Sequence, residues 1–179
     1  MAVETTEAKP VELERRAPAL SVQMFAFIEL LLLGVWIGSM IFAGMAVPPT
    51  AFGVLPTRHL AGQVVASSLM KVEILGLISG AAILLIQVLT WRMRPVARVI
   101  RVALTSVMLA AVALSLFWVS VRMQTLRQNM GGIIDDVPPT DPLRVEFNDL
   151  HQYSVALMSI AMLAGITLLF FTVRSWLKR

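Results

Sequence analysis

Four long apolar runs, Val22 to Val47, Val72 to Trp91, Val99 to Val121 and Tyr153 to Val173, occupy most of this chain. A hydrocarbon core of about 30 Å needs about 20 helical residues at about 1.5 Å rise, so each run is long enough to cross a bilayer. Clustered charge or proline separates each run from the next. Hydrophobic residues make up 58% of the chain and charged residues only 15%, a balance that suits lipid rather than water as the solvent. The expected fold is all-α: a polytopic membrane protein, a four-transmembrane-helix bundle with short helical extensions on the extracytoplasmic side. With 179 residues there is room for one bundle, so a polar cytoplasmic N-terminal tail over 1–20 and a single membrane domain over 21–179 are expected. A cleaved signal peptide fits the first run poorly. Its leader carries Glu4, Glu7, Glu12 and Glu14, and the run exceeds the roughly 7 to 15 residues of a signal core.

The chain has no cysteine, which removes disulfides, thiolate metal sites, thiol redox chemistry and thioether-linked haem. Its net charge of +4 would suggest nucleic acid in a soluble protein. Here the basic residues flank the spans and set topology instead, so no nucleic-acid partner is expected. Ten lysines and arginines, among them Arg15, Arg92, Arg94, Arg98, Arg101 and Arg174, fall on the side that holds both termini. Five fall on the other side, diluted by Asp135, Asp136, Asp141, Glu146 and Asp149. Both termini are therefore expected in the cytoplasm of a multi-pass protein of the cell inner (plasma) membrane.

Local chemistry marks the helix ends. Pro48 and Pro49 are expected to stop the first helix, and Pro56-Thr57 to open a segment leading into the second span. Arg122 to Met130 should continue the third helix until Gly131-Gly132 breaks it. Asp141 is placed to cap a helix beginning at Pro142, where proline's missing N–H is harmless. In lipid, small residues that let backbones approach become informative. Gly34 and Gly38 form one such pair, Gly76 and Gly80 a second, and Ala161 with Gly165 a third.

Polar residues inside the runs are the candidate functional groups. Glu73, Gly76, Gly80 and Gln87 share one stripe of the second span, with Glu73 just below its outer boundary. On the fourth helix His151, Ser154, Met158, Met162 and Gly165 share another. Glu73 and His151 are therefore expected to meet at the outer membrane surface, where such a pair relays a proton or orients a metal ligand. The plainer reading is that His151 only bonds a neighbouring helix. On a straight helix His59 would stand about 21 Å above Glu73, so it joins the site only if the chain bends near Gly62. Glu29 is expected at the cytoplasmic interface, paired with Arg92 or Arg94. Thioether and imidazole suit Cu(I), and Met158 and Met162 line up below His151, so copper or zinc at His151 is the metal these residues would take. Packing explains the methionines equally well.

The stretch Leu32-Leu-Gly-Val-Trp-Ile-Gly-Ser-Met-Ile-Phe42, followed by Pro49-Thr-Ala-Phe52 and Ala61-Gly62, resembles the opening of the transmembrane protein 205-like family, domain of unknown function 4149. Phe147-Asn-Asp-Leu150-His151-Gln-Tyr-Ser154 is similar to its second signature, a Phe-x-x-Leu-His-x-x-Ser pattern entering the last helix. A similar Trp-x-Gly-Ser opening occurs in copper-resistance D-like membrane proteins. The resemblance implies a bacterial four-helix membrane protein of unknown activity, and draws attention to Gly38, Pro49, Phe52, Gly62, Phe147, His151 and Ser154.

Two function classes follow. In the first, Glu73, His151, Ser154 and His59 form an extracytoplasmic ion or proton site for ion or metal handling or transport. In the second, the glycine faces recruit a partner, and the chain is a non-catalytic accessory or assembly subunit of a larger membrane complex. No spacing of an intramembrane protease or bis-histidine haem protein is present, so no enzyme and no resident cofactor are expected. Four helices enclose little space, so a conducting pathway would need a homo-oligomer.

Overall fold

The computed structural model describes residues 20–92 and 97–177. The expected N-terminal tail lies almost wholly outside the described residues, and so does Arg94. Helix α1 spans Leu20–Met45, α2 Val47–Val54, α3 Arg58–Leu89, α4 Arg98–Leu114, α5 Val121–Asn129 and α6 Pro142–Leu177. A π-helical turn, Ser115–Ser120, joins α4 to α5 without a break, and a short 3₁₀ turn covers Ile134–Asp136. Among the described residues there is no strand. Four helices, α1 with α2, α3, α4 through α5, and α6, are long and apolar enough to cross a membrane. The protein is an all-α, multi-pass membrane protein.

These four pack as a ring, α1 on α3, α3 on α4, α4 on α6 and α6 back on α1. Leu20, Leu177, the end of α3 and the start of α4 lie at one end of the bundle, here the terminal end; α2, α5 and the start of α6 lie at the distal end. At 32 residues α3 is about 48 Å long. That exceeds the hydrocarbon thickness of a bilayer, so the helices project beyond it. The projection is held by its own apolar cluster of Val119, Leu126, Met130 and Leu150, with Phe147 packed against it.

Several helix ends follow the expected chemistry. Asp141 accepts a hydrogen bond from the Leu143 amide at 2.8 Å, and α6 begins at Pro142. Thr57 accepts from the Leu60 amide at 3.2 Å at the start of α3. Gly131 and Gly132 take positive φ, 77° and 89°, and their amides return to Gln128 and Arg127. L-residues rarely hold that conformation, so α5 ends there.

Pro48 and Pro49 behave differently from the expectation. They do not end the helical path; they sit in the first turn of α2, after a break at Ala46. The first amides of a helix lack acceptors in any case, so two residues without a useful N–H are tolerated there.

The core is a stripe from each helix. Glu29, Leu33, Trp36, Met40 and Ala43 are all buried on α1. They face Gly76, Gly80, Ile83 and Gln87 of α3, with Met108 and Val112 of α4 and Ala161 and Leu168 of α6 closing the ring. A Cβ added at Gly76 would lie 2.8 Å from Trp36 Cε2. At Gly80 it would lie 2.9 Å from Trp36 Cζ3 and from Leu109 Cγ. At Gly165 it would meet Met108 Cε at 2.9 Å and Ile37 Cγ1 at 3.1 Å. These three glycines are where helices touch.

Gly34 and Gly38 are not. Both are exposed, and a Cβ at either would meet nothing within 4 Å. The reason is phase: each glycine is one residue past a core position, Leu33 or Ile37, and therefore turned about 100° outward.

Candidate functional site

The polar residues inside the bundle collect at two levels. Toward the distal end, Glu73 of α3 is half-buried and accepts a hydrogen bond on Oε1 from Ser115 Oγ at 2.5 Å. Ser115 is the first residue of the π-helical turn. Such a turn holds one extra residue and is common at functional sites. Ser120, at its other end, is a second hydroxyl beside the carboxylate.

The other Glu73 oxygen, Oε2, is buried and has no hydrogen-bond partner. Glu73 is one of the residues lining a cavity of about 30 Å³, with Met40, Ser115, Ser154, Met158 and Ala161 among the others. That volume admits about one water or an ion of similar size. Three helices thus supply oxygen ligands to one small space: a carboxylate from α3, and hydroxyls from the end of α4 and from α6.

Of the residues expected to form the site, the structure brings Glu73 and Ser154 to the same cavity. It does not bring His151 there. His151 is exposed, one residue beyond the buried Leu150 and so about 100° round the helix from the core stripe. His59 is also remote, paired through Nε2 with Gln63 Nε2 at 2.9 Å on the first turn of α3. Among the described residues no group of three histidine, cysteine, aspartate or glutamate side chains is placed to hold a metal ion.

The family-signature positions lie mainly in the distal projection. Arg127 of α5 stands over the Phe147 ring, 5.8 Å from its centroid, and a Cβ at Gly62 would lie 3.8 Å from its guanidinium. Pro49 and Phe52 are exposed on α2. Nearby, Arg122 pairs with Glu146 at 2.7 Å, and Arg144 reaches both Asp135 and the Val137 carbonyl. The acidic loop is fastened to α6 by these contacts.

Toward the terminal end lies a network that sequence reasoning missed. Glu29 is fully buried and paired with Arg101. Gln87 Nε2 donates to Glu29 Oε1 at 3.3 Å and to Thr105 Oγ1 at 3.0 Å. Trp176 Nε1 donates to Glu29 Oε2 at 3.2 Å, and Arg101 Nε to Thr172 Oγ1 at 3.4 Å. All four crossing helices contribute.

Of the arginines expected beside Glu29, Arg94 lies outside the described residues; the pairing the structure describes is with Arg101. Arg92 is exposed beyond the end of α3, whereas Arg101 lies one turn inside α4 on the face that meets α1 and α6. The signal was available. Arg101, Thr105, Met108, Val112 and Ser115 recur at helical spacing, and three of the five are polar in an otherwise apolar run.

A family model described as "Domain of unknown function (DUF4149)" matches residues 31–131, more than half of the chain. The match holds Glu73, Arg101 and Ser115 and ends before the Phe147 to Ser154 signature. No curated protein and no solved structure matches the chain.

Proposed function

The chain belongs to the DUF4149 family, and from that premise we propose that it is a small ion-handling membrane protein whose site is the Glu73 cavity. The observation that carries this reading is the unpartnered Glu73 Oε2 in a cavity shared with Ser115 and Ser154. A buried polar oxygen without a partner is costly, more so in a bundle surrounded by lipid. A proton on Oε2, or a small monovalent cation between Oε2 and the two hydroxyls, relieves that cost. Beside the Met40 and Met158 thioethers the ligands are a carboxylate and two hydroxyls, and these oxygens suit a hard, small ion.

On this reading the basic-residue balance puts the cavity on the extracytoplasmic side. His151, exposed one turn above Ser154, stands at the approach rather than in the site.

Carbodiimide labelling tests the proposal, because the reagent attacks protonated carboxyls in apolar surroundings. In the full chain in detergent micelles, Glu73 should take up label as pH falls through the carboxylate range. Glu73→Gln should remove that label, and Ser115→Ala should shift its pH dependence. A Glu73 that stays unlabelled while exposed carboxylates react would overturn the ion site.

The accessory-subunit reading has one observation in its favour, the outward-facing Gly34 and Gly38 on α1. Another helix could approach closely there, although lipid covers such a face equally well.

A further inference from the structure

Among the described residues, three buried side-chain polar atoms have no hydrogen-bond partner: Glu73 Oε2, Trp36 Nε1 and Ser79 Oγ. All three belong to α1 or α3, the two helices whose core stripes face each other. Glu73 opens the series at the distal end. The Trp36 indole lies against Gly76, one turn inward, with its Nε1 toward that glycine. Ser79 follows one further turn along α3, 1% exposed. Beyond it, at the terminal end, come Gln87 and the Glu29 carboxylate. Two carboxylates therefore bracket the α1–α3 seam along the bundle axis, Glu73 of α3 bonded toward α4 and Glu29 of α1 at the terminal end, with the Trp36 and Ser79 groups between them.

An orphaned N–H and an orphaned hydroxyl buried in a membrane bundle become sites for single waters when the close Trp36–Gly76 contact parts enough to admit them. We infer that the α1–α3 seam is a proton path from Glu73 to Glu29, with water held at the Trp36 N–H and the Ser79 hydroxyl. The inference rests on the reading of the Glu73 cavity as an ion site, and names the ion as the proton. Proton movement needs single waters and no open pore, so one four-helix chain suffices.

The steps balance. A proton from distal water adds to the Glu73 carboxylate. Water oriented by the Trp36 N–H, and the Ser79 hydroxyl, which donates and accepts, hand an equivalent proton inward. Glu29 receives it, loses its charge and slackens its hold on Arg101. The proton leaves to water at the terminal end, and the Glu29–Arg101 pair re-forms. Only O–H bonds are made and broken, and one proton crosses.

The groups facing each carboxylate set the barriers. Glu73 faces Ser115 and Ser120 across α4 and Ser154 on α6; Glu29 faces Arg101, Gln87 and Trp176. The Arg101 charge repels other cations at the terminal end. Leu33 and Ile83, both 0% exposed, lie between the two levels. From Trp36 to Glu29 is about 10 Å along α1. That apolar layer is a gate that conducts only when wetted.

The test uses the purified full chain in phosphatidylcholine vesicles enclosing a pH-reporting dye. A potassium gradient with valinomycin fixes the potential, and the outside is acidified. Ile83→Ser, which makes the gate wettable, should speed lumen acidification above wild type. Adding Glu73→Gln should return it to the protein-free rate, and Ser79→Ala or Trp36→Phe should slow it several-fold. The path is overturned if Ile83→Ser and wild type both stay at the protein-free rate, or if the Ile83→Ser flux is indifferent to Glu73→Gln. Labelled Glu73 without flux removes the path and leaves the ion site; unlabelled Glu73 removes the site itself.

Discussion

Two buried carboxylates in one bundle meet opposite treatment. Glu29 is enclosed by an arginine, an amide and an indole drawn from the three other crossing helices, with both oxygens hydrogen-bonded. Glu73, which lines a small cavity, has one oxygen bonded to a serine and the other buried without a partner. Both residues would look alike to any scale of insertion cost. The difference lies in what surrounds them: a satisfied charge ties helices together, whereas an unsatisfied one is free to take something up.

The sharpest way to break that comparison is to remove one partner of each. Arg101→Met takes a buried charge partner from Glu29, and should cost about 3–5 kcal/mol. Glu73→Gln keeps the Ser115 bond and should cost less than about 1 kcal/mol. Thermal unfolding in micelles followed by circular dichroism reads both. Glu29→Met added to Arg101→Met should recover most of the loss, because an apolar pair of similar volume needs no compensation. Equal melting of Arg101→Met and Glu73→Gln would show that the two levels are not different in kind.

A smaller effect sharpens the same contrast between tied and free surfaces. Gly80→Ala forces a methyl against Trp36 and Leu109, and overpacking of this kind costs about 1–3 kcal/mol. Smallest of all, Gly34→Ala and Gly38→Ala meet open space and should be neutral or stabilise by about 0.5 kcal/mol through helix propensity. The same melting experiment orders them. A loss at Gly34→Ala that grows with protein concentration would instead reveal a partner helix on that face.

Much of this architecture was legible in the residues. Length and apolar content dictated four crossings, and Asp141-Pro142 and Gly131-Gly132 marked ends by local chemistry alone. The second-span stripe also put Glu73 on a protein-facing side, and Ser154 at matching depth shares its cavity. What was not legible depends on how one helix is turned against another. That Arg101 also reaches Glu29 depends on α4 presenting its Arg101–Thr105–Ser115 stripe to the centre. His151 sits beside the right residues in sequence and on the wrong side of the helix. Ser115 continues the polar stripe of Arg101 and Thr105 at helical spacing, but nothing in the apolar periodicity reveals the π-helical turn that it opens.

That turn joins two parts of the molecule. Deleting one residue between Ser115 and Ser120 would rewind it as ordinary helix and swing all that follows by about 100°. Leu126 and Met130 would swing away from α6 as Ser115 lost its bearing on Glu73. A single in-frame codon gain in a plain helical hairpin would therefore furnish the carboxylate's donor and the seating of the projection together, so the two features would have a common origin.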